Sequence, residues 1–236
     1  MNLMYEVNGK RTPTWNPFPG CNFGCVYCYA PKIYEKFSKC EDCKKFTPHF
    51  HRERLKQKFK LGETWFVCSM GDISFAPLDQ FADILFVIAD HPRTTFYIQS
   101  KNPAYFSEYL EVYSSFIPDN VVLGTTIETN YLSLYTSKKI SKAPLPFDRR
   151  NFMVSLDHSR KYVSIEPAID FDVSIMTKWI KKIAPEFVYI GYDNHKSLKA
   201  LDIPEPSLKE TERLIEELSK FTEIRVKTKR PAWWES

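Results

Sequence analysis

The chain has 236 residues, 43% hydrophobic and 15% aromatic, enough apolar content to build a core of one or two domains. Lys plus Arg number 33 against 29 Asp plus Glu, and this net +4 permits a nucleic-acid partner without requiring one. With seven glycines and neither G-x-G-x-x-G nor G-x-x-x-x-G-K-[ST] present, a glycine-rich dinucleotide fingerprint or phosphate loop is not expected.

In chain order, the opening MNLMYEVNGKRTPTW lacks the apolar run of a signal peptide. No stretch is long and apolar enough for a membrane span, so a cytoplasmic protein is expected. Candidate strands are Thr14–Asn16, Thr64–Met70, Thr95–Ser100, Val121–Ile127, Tyr162–Ile165 and Glu186–Gly191, with Glu223–Lys227 as a seventh. Most are β-branched or aromatic and apolar on both faces, as strands inside a parallel sheet should be. Helical patterns fall over Pro77–Asp90, Pro103–Phe116, Asp172–Ile183 and Ser207–Phe221, the last opening on capping-box spacing between Ser207 and Glu210. Strand–helix alternation predicts an α/β fold, and six such units suit a partial (β/α)6 barrel of TIM type with parallel strands and loop insertions. Residues 31–62, rich in Lys and holding Cys40 and Cys43, and residues 130–150 break the rhythm and read as insertions. No composition shift marks a second domain, so residues 1–236 are expected to form one barrel domain.

The sharpest motif is Cys21-Asn-Phe-Gly-Cys25-Val-Tyr-Cys28, a C-x3-C-x2-C loop between the first strand and a helical pattern. A [4Fe–4S] cube normally takes four thiolates, so three on a tight loop would hold three irons and leave the fourth open. An open metal position is the mark of a reactive site. The alternative is a zinc site completed by Cys40, Cys43 or a His, although zinc knuckles more often use paired C-x2-C spacings.

This loop resembles the signature of radical S-adenosylmethionine enzymes. The resemblance implies a [4Fe–4S] cluster on Cys21, Cys25 and Cys28, with S-adenosylmethionine on the open iron through its amino and carboxylate groups. It places Tyr27 near the adenine and implies a partial (β/α)6 barrel and an electron donor such as ferredoxin or flavodoxin. The expected activity is reductive cleavage of S-adenosylmethionine to a 5′-deoxyadenosyl radical that acts on an unidentified substrate. A wider resemblance, to a radical-SAM-like family common in microbial and phage genomes, rests on several blocks. They are Thr14-Trp15-Asn16-Pro17, Gly20-Cys21, Cys28-Tyr29-Ala30, Ser69-Met70-Gly71-Asp72, Ser100-Lys101-Asn102-Pro103, Leu123-Gly124, Glu128-Thr129-Asn130 and Ser164-Ile165-Glu166-Pro167. The chain departs from that pattern in the Cys40/Cys43 insertion and in Tyr192, where a second glycine is usual.

Barrel chemistry sits at the carboxyl ends of strands, and strand parity selects which residues face inward. Parity brings forward Thr126 and Glu128, Lys101, Glu166 and Asp193. The resemblance puts Ser69, Met70, Gly71 and Asp72 at the cofactor's ammonium group, and Asp72 could equally cap a helix. Glu128 could accept from ribose hydroxyls, Lys101 could neutralise a carboxylate or phosphate, and Glu166 could bind ribose, substrate or Lys101. Cys40-Glu-Asp-Cys43 with His49 and His51 could form a zinc site, hold part of a second cluster, or be plain exposed thiols. Cys68, inside an apolar strand, reads as a small buried residue. The basic residues Lys138, Lys139, Lys142, Arg149 and Arg150, then Lys227, Lys229 and Arg230 ahead of Trp233 and Trp234, read as solvated surface, with nucleic-acid contact as the other option. The rival to the enzyme is a non-catalytic Fe–S or zinc protein that binds nucleic acid.

Overall fold

The structure is a computed structural model, and it describes residues 6–7, 10–113 and 116–235. A short antiparallel pair, β1 (Glu6–Val7) and β2 (Lys10–Arg11), precedes β3 (Thr14–Trp15). Helices α1 (Ala30–Phe37) and α2 (Glu41–Lys44) and a 3-10 turn at Arg52–Lys56 lead to β4 (Thr64–Val67). Then come α3 (Leu78–Ala89), β5 (Thr95–Gln99), α4 (Ala104–Val112) and β6 (Val121–Thr126). The chain continues through α5 (Leu132–Ser137), α6 (Pro146–Ser155), β7 (Lys161–Ile165), α7 (Val173–Ile183) and β8 (Phe187–Gly191), and ends with α8 (Ser197–Ala200), α9 (Leu208–Ser219) and β9 (Glu223–Thr228).

Strands β3 to β9 form one parallel sheet in simple sequence order, the α/β partial-barrel fold expected. By contacts the chain separates into two compact units: one runs to Gly24 and from Cys28 to Gly124, the other holds Cys25–Tyr27 and the chain from Thr125 onward. In the first unit, β4 and β5 pair through Thr64–Thr95 to Val67–Ile98, and β5 pairs with β6 through Phe96–Val121 to Gln99–Gly124. Helix α3 buries Phe81, Ile84, Leu85 and Ile88, and α4 buries Tyr105, Phe106 and Tyr109. Phe81 sits at the centre of that aromatic packing, with ring centroids 5.4 Å from Tyr105 and 4.8 Å from Tyr109. Each such fully buried side chain contributes about 1.5–3 kcal/mol of transfer free energy. In the second unit, β7, β8 and β9 pair in parallel, and α7 and α9 bury Met176, Ile180, Leu214 and Leu218. Ser207 caps α9 with the reciprocal Glu210 bond that its spacing announces.

Three expectations need correction. Residues 130–150 are not a plain connection, because α5 and the start of α6 lie in them; Pro146 stands in the first turn of α6, where a missing N–H costs nothing. The strand expected over Thr64–Met70 stops at Val67, because Cys68 adopts φ +56 and turns the chain out of the sheet. The helix expected to reach Phe116 ends at Val112, with residues 114 and 115 outside the described residues.

Candidate functional site

In the first unit the segments that follow β3 and β4 are joined by backbone bonds and by one side chain. Gly20 and Gly71 form a parallel bridge, with Gly20 N donating to Met70 O at 3.0 Å and Asp72 N to Gly20 O at 3.1 Å. A Cβ on Gly71 would meet Gly20 N at 2.7 Å, so only glycine fits that approach. Asn16 fixes the turn after β4: its Oδ1 accepts from Met70 N at 2.8 Å and from the Ser69 hydroxyl at 3.2 Å. The Asn16 block carried the resemblance without a role, and this side-chain bond across 54 residues supplies one.

Asp72 is 5% exposed and sits in a nest of neutral donors. One oxygen accepts from Ser74 N at 3.0 Å, Ser74 Oγ at 2.8 Å and Ser100 Oγ at 2.7 Å; the other accepts from Lys101 N at 2.9 Å. The capping option is thus realised, on the 3-10 turn Ile73–Phe75. The same carboxylate also ties the end of β4 to the end of β5. The Lys101 side chain is half-buried there.

In the second unit Glu128 follows β6, is fully buried, and pairs with Arg149 of α6, itself fully buried, at 2.9 Å. The Tyr27 hydroxyl donates to the other Glu128 oxygen. Arg149 uses its whole fork: Nε donates to Pro144 O at 2.8 Å, Nη1 to Thr126 O at 2.5 Å and Nη2 to the Tyr135 hydroxyl at 2.8 Å. Thr126, expected at the cofactor, is 2% exposed and contributes its carbonyl to this guanidinium. Burial and then the Glu128 charge raise the Tyr27 pKa well above the usual phenol value, which keeps the phenol a donor. Burial opposes the Arg149 charge, but Glu128 and the two tyrosines outweigh it and hold its pKa up. Arg149 therefore does not belong to the solvated basic surface in which the sequence pattern places it.

Glu166 follows β7 and pairs with Lys227 of β9. A Cβ on Gly191 would stand 3.3 Å from Glu166 Oε1 and 3.0 Å from Thr228 Oγ1, so the bare backbone makes room for the pair. The Lys227 side chain is 7% exposed, and burial lowers its pKa although Glu166 pulls it up. Lys227 is thus a second correction to the solvated-surface reading. Tyr192 is buried, its hydroxyl donating to Pro206 O at 3.0 Å, and Asp193 accepts from His195 N and Leu198 N at 2.8 Å each.

Cys21, Cys25 and Cys28 are part-exposed and outside any disulfide. Cys21 Sγ accepts from Phe23 N at 3.4 Å, and Cys25 Sγ donates to Ser141 Oγ at 3.2 Å. Gly24 takes φ +59 with open space where a side chain would stand, so the loop turns sharply between the first two sulfurs. Cys68 is 2% exposed, and burial pushes its thiol up to about 12. Cys40, Cys43, His49 and His51 bring four ligand atoms within 4.8 Å of one another. No helix among the described residues is long and apolar enough to cross a membrane.

No curated protein matches the chain. Among solved structures it is similar to a spore photoproduct lyase variant carrying a dinucleoside spore photoproduct, with TM-score 0.61 and 7% identity over 89% of this chain and 74% of that one. A second variant of the same lyase gives TM-score 0.59 and 7% identity over 90% and 75%. These likenesses establish the fold. A family model described as "Protein of unknown function (DUF5131)" matches residues 10–183, well over half of the chain, and the chain belongs to that family.

Proposed function

We propose that this chain is a radical S-adenosylmethionine enzyme. The observation that carries the reading is the C-x3-C-x2-C loop directly after the first strand of a parallel partial barrel. The fold likeness to spore photoproduct lyase, itself a radical S-adenosylmethionine enzyme, supports it. The donor set suits a [4Fe–4S] cluster: three part-exposed thiols outside disulfides, on a loop whose own amide at Phe23 already points at sulfur. Amide-to-sulfur hydrogen bonds of this kind are among the protein's levers on cluster potential.

Cys21, Cys25 and Cys28 would hold the cluster. When bound, cluster and S-adenosylmethionine together supply one-electron cleavage of a carbon–sulfur bond, with the electron from a donor such as ferredoxin or flavodoxin. In the first unit Asp72 would accept from the cofactor's ammonium, aided by carbonyls of the Ser69-Met70-Gly71 turn, and Lys101 would face its carboxylate. Asn16 and Ser100 would act by holding that turn and that carboxylate still. In the second unit Tyr27 would lie against the adenine, and Glu128 or Glu166 would accept from ribose hydroxyls. Arg149 pairs with Glu128, and the Thr126 carbonyl orients Arg149.

Anaerobic reconstitution with iron and sulfide tests this. The wild type should turn brown, give a [4Fe–4S]⁺ resonance on reduction and release 5′-deoxyadenosine from S-adenosylmethionine. Single Cys→Ala changes at 21, 25 or 28 should abolish all three signals. A colourless protein holding zinc on those three thiols would defeat the reading in favour of a non-catalytic metal protein.

A further inference from the structure

The Cys40–His51 segment belongs to none of the roles above, yet its four side chains are arranged more tightly than packing requires. All four lie in the first unit. His49 Nε2 stands 3.5 Å from both Cys40 Sγ and Cys43 Sγ, and His51 Nε2 stands 3.4 Å from Cys43 Sγ. A tetrahedral zinc with Zn–S of about 2.3 Å and Zn–N of about 2.05 Å sets its S···N edges near 3.6 Å. The two Nε2 atoms are 2.8 Å apart, inside the edge of about 3.3 Å for such an ion, so binding would spread the rings by about 0.5 Å.

The outer partners fix the tautomers. His49 Nδ1 lies 2.7 Å from Thr47 O and His51 Nδ1 lies 2.6 Å from Glu53 Oε1. A carbonyl and a carboxylate can only accept, so both Nδ1 atoms carry the proton and both Nε2 lone pairs converge on the thiols. An imidazole that donates its far N–H to a carbonyl or carboxylate is the usual state of a zinc-bound histidine. The backbone agrees: Cys40 opens α2 and Cys43 stands in it, the C-x2-C turn of a knuckle, and Lys44 N and Phe46 N close it on the carbonyls of Cys40 and Cys43.

We infer that Cys40, Cys43, His49 and His51 form a structural Cys2His2 zinc site that braces the start of the cysteine loop. Zinc fits better than a second iron–sulfur cluster because all four ligand atoms converge on one point, whereas a cluster spreads its ligands over several irons. With both thiols ionised the site is neutral around the ion, and loading releases two protons. The bracing is direct. His49 N donates to Pro19 O at 3.2 Å, His51 N to Pro17 O at 2.8 Å and Cys21 N to Phe46 O at 3.2 Å. Two of the zinc ligands, with Phe46 between Cys43 and His49, thus hold the backbone that delivers Cys21. The zinc assignment stands without the radical reading.

The test uses the full chain purified without added metal. Elemental analysis should find one zinc per chain, and X-ray absorption at the zinc edge should show two sulfurs near 2.3 Å and two nitrogens near 2.0 Å. The Cys21→Ser/Cys25→Ser/Cys28→Ser variant should keep that zinc, so loss of the iron cluster and loss of zinc are read separately. Cys43→Ser with His51→Ala should lose it. Because the double change could unfold the segment, Glu53→Ala serves as the gentle variant: its side chain is 68% exposed, and removing the partner of His51 should weaken zinc about 10–100-fold in a chelator competition. Zinc removal should also speed amide exchange over residues 17–21. Wild type without zinc, a zinc shell of other composition, or unchanged affinity in Glu53→Ala would each overturn the inference.

Discussion

Two buried carboxylates, one in each unit, are stabilised in different ways. Asp72 is held by two serine hydroxyls and two backbone amides, three of them from Ser74 or Lys101, at the ends of neighbouring strands. Glu128 is held by a guanidinium and a phenol, from Arg149 and Tyr27, 21 and 101 residues away in sequence. The first arrangement spreads a charge over neutral dipoles, none of which carries a charge of its own. The second matches charge with charge, and burying both partners makes each dependent on the other.

The largest expected effect breaks the ion pair. Arg149→Met should lower unfolding free energy by about 3–5 kcal/mol in urea titrations, because Glu128 is left charged and buried. Adding Glu128→Gln should return part of that loss, and a double variant no more stable than Arg149→Met would show that the guanidinium matters through its carbonyl bonds instead. Asp72→Ala should cost about 1–3 kcal/mol, since hydroxyls and amides lose an acceptor but no charge is stranded. If Asp72→Ala proved as damaging as Arg149→Met, the contrast between the two carboxylates would fail. Ser207→Ala, at a capping box outside both sites, should cost about 0.5–2 kcal/mol and calibrates what one local cap is worth. The cysteines sharpen the same contrast without changing stability: in native protein freed of metal, iodoacetamide should label Cys21, Cys25 and Cys28 well before Cys68, whose thiol is buried and raised to about 12. Peptide mass mapping would check the order.

What could be read in the sequence follows the range of the interactions. Strands such as Thr95–Gln99 and Phe187–Gly191 announce themselves because burial on both faces leaves an apolar run. The Ser207–Glu210 box and the Cys21–Cys28 loop are local spacings, complete within a few residues. Asp72 was legible as a cap for the same reason. Arg149 was not: its neighbours Lys138, Lys139 and Arg150 present an ordinary basic run, and nothing local shows that a strand-end glutamate will draw one of these side chains inside. Lys227 escaped for the same reason, paired with Glu166 61 residues earlier. Cys40 and Cys43 were visible as a pair, but only the fold shows that both imidazoles turn their Nε2 atoms toward them.

Gly20 carries a consequence for how this chain can change. It takes φ +91, and a Cβ there would stand 2.3 Å from Thr47 O; on its other side Gly71 is equally bare, so three backbones are stacked with no carbon atom between them. The spacing between the Cys40–His51 segment, the entry to the cysteine loop and the Asp72 turn is therefore already at its minimum. No substitution at position 20 or 71 can shorten it, and every one must lengthen it. Tolerance at this joint runs in one direction, so sequence drift there can only loosen the grip on Cys21 and Asp72 together.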